Sequence, residues 1–141
     1  MPKKQPFKQI TNRELDVLNI LWNSDKPLIA SEIVAMKPEL TINTVQAVLR
    51  KLLKQGYIGI ADIVYSGTVL TRSYKPLVSA QDFGVDQIVE TFHAFPDLSI
   101  SRLVSGLLNE SVSLEQIAEL EAILEKQKES LRNKTSEKEK N

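Results

Sequence analysis

Asn43, Ala47, Arg50 and Lys54 recur at helical spacing within residues 41–58, TINTVQAVLRKLLKQGYI, and Gln46 and Lys51 flank them. Val45, Val48, Leu49, Leu52 and Leu53 fall on the opposite stripe. The outer face thus offers amide, guanidinium and ammonium groups and no carboxylate. Asn and Gln amides suit the adenine edge in a major groove, Arg can grip guanine or a phosphate, and the Ala methyl can touch thymine. No acid is present to repel a polyanion. A solvated amphipathic helix has the same pattern, so the elements around the segment must decide between the two.

Other chemistries find little support. His93 is the sole histidine, which excludes a multi-histidine metal site, and its place at a helix end suits a capping or surface role. The absence of cysteine excludes disulfides, thiolate metal sites and Cys nucleophiles. No nucleotide-binding or serine-hydrolase motif occurs, and the carboxylates show no paired spacing. We expect neither an enzyme nor a cofactor or metal. Trp22 closes an apolar stripe and reads as core, and Gly67 reads as a turn residue.

With 141 residues, 42% apolar and 26% charged, the chain suits one domain plus a small appendage. No apolar run approaches the roughly 18 residues of a membrane span, and no signal peptide follows the basic start, so a cytoplasmic protein is expected. The net charge of zero conceals a division. Residues 1–76 hold 11 Lys/Arg against 6 Asp/Glu, a net +5; residues 77–125 hold 1 against 9, a net −8; residues 126–141 hold 6 against 3, a net +3. A basic module joined to an acidic one is the pattern expected when only the first meets phosphate.

The elements that must hold the outer face follow from caps and breakers. Residues 1–9 read as a flexible basic arm. Thr11 and Glu14 form a capping box for a helix to about residue 23, burying Leu15, Leu18, Leu21 and Trp22. A second helix spans about 30–36 with Ile33 and Val34 inward, and Thr41 caps the third. Gly56 can end that helix in the left-handed conformation. Residues 57–64 and 69–74 then read as strands around a turn at 65–68. Three helices and a hairpin are the order of a winged helix-turn-helix, whose third helix enters the major groove while the wing follows the backbone. After a linker at 75–79, helices are expected at about 81–93 and 100–108, then a long one opened by Ser113 and Gln116. Ile117, Leu120, Leu124 and Leu131 form a heptad seam with Gln127 inside it. So few helices enclose little core, which points to packing against a second copy. The candidate dimer residues are Phe92, Leu103, Leu107, Ile117, Leu120 and Leu124.

Residues 10–22 (ITNRELDVLNILW), SEIV at 31–34, TINTVQAVLRKLLKQGYI and YKPLVS together resemble the BlaI/MecI/CopY family of penicillinase and copper-resistance repressors, across residues 10–131. The resemblance implies a bacterial homodimeric repressor on a palindromic operator, relieved by a signal, with Asn43, Thr44, Gln46 and Ala47 on the base-reading helix. The elements and composition of the chain place the winged-helix domain at 1–76, the helical dimerisation domain at 77–132 and a polar, disordered tail at 133–141. The full set expected at DNA is Thr41, Asn43, Thr44, Gln46, Ala47, Arg50, Lys51, Lys54 and Arg72, the last four weighted toward backbone. Two departures stand out. The copper branch uses a C-terminal cysteine motif, and this chain has no cysteine. The β-lactam branch is cleaved at an Asn-Phe bond, and the nearest stretch, residues 103–108, lacks that pair, which leaves an inactivating protease open. A winged helix that binds only proteins and a DNA-binding activator are the alternatives.

Overall fold

The computed structural model describes residues 10–139, so the arm expected at 1–9 lies outside the described residues. The chain is mainly helical, with elements in the order α1 (Asn12–Trp22), α2 (Ala30–Met36), α3 (Ile42–Gln55), β1 (Ile58–Ser66), β2 (Val69–Pro76), α4 (Ala80–Ala94), α5 (Ile100–Leu108) and α6 (Leu114–Glu139). The caps expected at Thr11, Thr41 and Ser113 are all present. Glu14 N–H donates to Thr11 Oγ1 at 3.2 Å while Glu14 Oε2 accepts from Thr11 N–H at 3.4 Å, completing the box before α1. At α2 only the return half of such a box forms, Glu32 Oε1 accepting from Ile29 N–H at 3.0 Å. The full exchange between Ser113 and Gln116 opens α6.

The chain divides into two compact units, the first ending at Pro96 and the second beginning at Asp97. In the first, Val17, Leu18 and Leu21 of α1 meet Ile33 of α2, Val45, Leu49 and Leu52 of α3, and Leu28 and Ile58. Each such side chain contributes about 1.5–3 kcal/mol by leaving water. Leu15, expected inside, is instead 36% exposed. The buried stripe of α1 runs through Glu14, Val17, Leu18 and Leu21, and Leu15 stands a quarter turn outside it.

The wing is an antiparallel hairpin whose ladder reaches Ser66↔Val69, closer to the tip than the sequence predicts. Gly67, at φ 64°, makes this possible, since a two-residue turn needs a left-handed residue at its first central position. A bulge at Ala61 separates the pairs Ile60↔Tyr74 and Asp62↔Ser73. Leu28 anchors the hairpin: its N–H donates to Tyr74 O at 3.0 Å, and Tyr74 N–H returns a bond to Leu28 O at 2.7 Å.

The first unit runs past the boundary expected at residue 76 because α4 contributes to its core. Phe83 is 3% exposed, edge-on to Tyr57 at 4.8 Å and 5.5 Å from the Trp22 ring. Trp22 Nε1–H donates to Val78 O at 2.9 Å, so the segment expected as a linker is fixed to α1. This burial pushes the Tyr57 hydroxyl pKa up, with Glu90 and Asp86 adding to the rise.

In the second unit, α5 and α6 bury no residue fully, and Leu103 and Ile117 are half-buried. The disordered tail expected from residue 133 is helical through Glu139, in a stretch without Gly or Pro to break it. No described helix is long and apolar enough to cross a membrane.

Candidate nucleic-acid interface

The third helix is fixed at both ends and along one side, which leaves the other side free to meet a ligand. At its start Thr41 Oγ1 accepts from Thr44 N–H at 3.1 Å and donates to Thr44 Oγ1 at 2.9 Å. At its end Gly56 takes φ 81° and ψ 12°. Tyr57 N–H then reaches Leu52 O and Gly56 N–H reaches Leu53 O, both at 3.1 Å, the paired bonds of a Schellman ending. Val45, Leu49 and Leu52 lock the inner side into the core.

The outer side carries Asn43, Gln46, Ala47, Arg50 and Lys54, all exposed, with Thr44 half-buried beside them. No carboxylate occurs on α3, so the positive groups of this face are uncompensated by their own helix. Thr41 is exposed, but its hydroxyl is engaged as the cap.

Lys51 differs from its neighbours. Its ammonium pairs with Glu14 Oε1, and the Glu14 side chain is only 7% exposed against 41% for Lys51. A carboxylate that deep needs a partner, because an unpaired buried charge is costly. The same Glu14 therefore caps α1 with one oxygen and holds α3 with the other. Sequence spacing placed Lys51 among the phosphate-contacting cations; the structure engages it in packing α1 against α3.

Arg72 stands on β2, opposite Ile63, exposed and apart from the helical set. Ile63, Tyr65, Val69 and Leu70 are exposed near it, so the wing is more apolar than a purely electrostatic strand pair. Arg13 was missed by the sequence reading, which used its surroundings only for a cap. Thr11, Asn12 and Arg13 share one shallow groove with Thr44, Ala47 and Val48, which brings the start of α1 beside the outer face of α3. Nothing in the sequence signals that neighbourhood, since it depends on how the two helices cross.

The candidate dimer residues lie on both units. Phe92 is half-buried on α4, Leu103 half-buried and Leu107 exposed on α5, and Ile117 half-buried with Leu120 and Leu124 exposed on α6. His93 is exposed in the last turn of α4, beside the Phe92 ring.

A helix so capped and packed, followed by an anchored hairpin, makes the first unit a winged helix-turn-helix. The chain belongs to the penicillinase repressor family, whose model matches residues 10–126, and it is a DNA-binding transcriptional repressor. No curated protein sequence matches it. Among solved structures, a MepR mutant from a multidrug-resistant S. aureus clinical isolate is similar at 21% identity over 87% of this chain and 80% of that one, with a TM-score of 0.45. An S. aureus MepR mutant bound to an oligodeoxyribonucleotide is 20% identical over 86% and 80%, with a TM-score of 0.42. Streptococcus pneumoniae FabT in complex with DNA is 18% identical over 93% and 82%, with a TM-score of 0.39. At these scores the family match carries the assignment.

Proposed function

We propose that this repressor acts as a homodimer in the bacterial cytoplasm, occluding a promoter by binding a roughly palindromic operator. The observation that carries the reading is the acid-free face of α3, exposed along its length while the opposite stripe is buried. Asn43, Thr44, Gln46 and Ala47, nearest the N-terminus of the helix, read bases. Arg50, Lys54 and Arg72 hold phosphates, Thr41 presents the helix start, and Arg13 adds a contact from the neighbouring helix. Lys51 supports the face from behind through Glu14.

Self-association is supported by apolar surface with no cover in one chain. Ile100, Leu107, Leu114, Leu124 and Leu131 are all exposed on two helices that bury nothing fully. These side chains are the apolar surface that a second copy would cover. A reporter fused to the protein's own upstream region tests the direction of control. Expression should rise when the gene is deleted and fall on complementation; a fall on deletion would mean activation instead.

A further inference from the structure

The cations of the winged-helix segment are unevenly placed. Residues 10–76 hold eight Lys/Arg against six Asp/Glu, whereas residues 1–9 hold Lys3, Lys4 and Lys8 and no carboxylate. Three of the five net charges of residues 1–76 therefore lie ahead of α1. Ion pairing engages three of the eight. Lys26 meets Glu32 at 3.2 Å, Lys37 meets Asp16 at 2.9 Å, and Lys51 is held by Glu14. The wing adds little near its tip. From Ile58 to Thr71 its one charged side chain is Asp62, and Arg72 and Lys75 lie toward its base. Phosphate contact scales with the cations that can neutralise it, so residues 1–9 are a large share of what this segment can offer.

Packing sets the point where residues 1–9 join the fold. Ile10 is half-buried against the core, and Thr11 caps α1 with its hydroxyl. Thr11, Asn12 and Arg13 then line one groove with Thr44, Ala47 and Val48 of α3. The junction therefore stands beside the residues of α3 proposed to read bases. We infer that residues 1–9 are a DNA-binding arm, in which Lys3, Lys4 and Lys8 neutralise backbone phosphates flanking the bases met by α3. The inference rests on the reading of α3 as the base-reading helix and adds a second grip that is independent of sequence. Lysine suits that task, because its ammonium is a compact point charge that meets phosphate oxygens from many directions. Nine residues span at most about 30 Å, close to nine base pairs of duplex, so the contact falls within roughly one helical turn of the groove.

The test combines Lys3→Gln, Lys4→Gln and Lys8→Gln in the full chain, with anisotropy titrations over a salt series on the upstream region and on random DNA. Affinity for both DNAs should fall at least roughly tenfold, and the salt slope should flatten by up to about 2.7 for each chain bound. The ratio between the two DNAs should be kept. Lys→Arg at the same three positions should retain both affinity and slope. Removing about nine base pairs of flank from each side should weaken the unaltered protein and leave the Gln variant nearly unchanged. An unchanged slope in the Gln variant of a protein that prefers its upstream region would overturn the arm and leave the base-reading helix standing. A changed ratio at constant slope would overturn it too, since residues 1–9 would then be reading bases. Equal affinity of the unaltered protein for the two DNAs would instead overturn the reading on which the arm rests.

Discussion

Lys51 and Lys54 are three residues apart on one helix, yet burial separates their roles. Lys54 is exposed, whereas Lys51 neutralises a carboxylate inside the first unit. Lys54→Met should weaken binding to all DNA sequences evenly and flatten the salt dependence by roughly 0.9 in slope, the share of one phosphate left unneutralised. Lys51→Met should leave that slope unchanged and lower stability by about 1–3 kcal/mol, because Glu14 stays buried without its cation. Titrations at several salt concentrations with a thermal melt separate the two; an equal change of slope in both variants would contradict the pairing. Residue types and helical period made Asn43, Gln46, Ala47, Arg50 and Lys54 legible as one face. They could not show that Glu14 would be buried, because a carboxylate in a capping box is ordinarily at the surface.

Helices and their caps were the most legible level of the structure. Thr11, Thr41, Ser113 and Gly56 mark ends by local hydrogen bonding, which depends on nearby residues alone. What depends on distant residues was harder to read. Phe83 lies in an acidic segment beyond an apparent linker, and only Trp22 and Tyr57, far away in sequence, explain its burial. Phe83→Ala should cost about 3 kcal/mol in unfolding of the winged-helix unit, measured by denaturant titration followed at Trp22. An unchanged midpoint would detach α4 from that core. At α2, the bond from Ile29 N–H holds the Glu32 pKa below the usual carboxylate value, opposed by desolvation and assisted by Lys26. A depressed carboxylate stabilises the fold above its unfolded pKa, and that contribution is lost as pH falls through the folded value. Glu32→Gln, which can still accept the bond, should therefore flatten the acid limb of the stability curve as pH falls through the carboxylate range.

For the whole molecule, the neutral total charge conceals a basic segment at residues 1–76, proposed to meet DNA, and an acidic one at residues 77–125. Its apolar helices bury too little alone, which makes assembly and DNA affinity one problem. Leu120→Asp puts a charge on the α6 seam and should shift sedimentation toward monomer while weakening operator binding. An unchanged dimer would remove that seam from the interface. The central claim is that the outer face of α3 reads sequence. Fluorescence anisotropy with the protein's own upstream region and with random DNA, at the same salt, tests it directly. Binding to the upstream site should be at least about a thousandfold tighter, a preference lost when Asn43 and Gln46 are changed to Ala. Equal affinity for the two DNAs would contradict it.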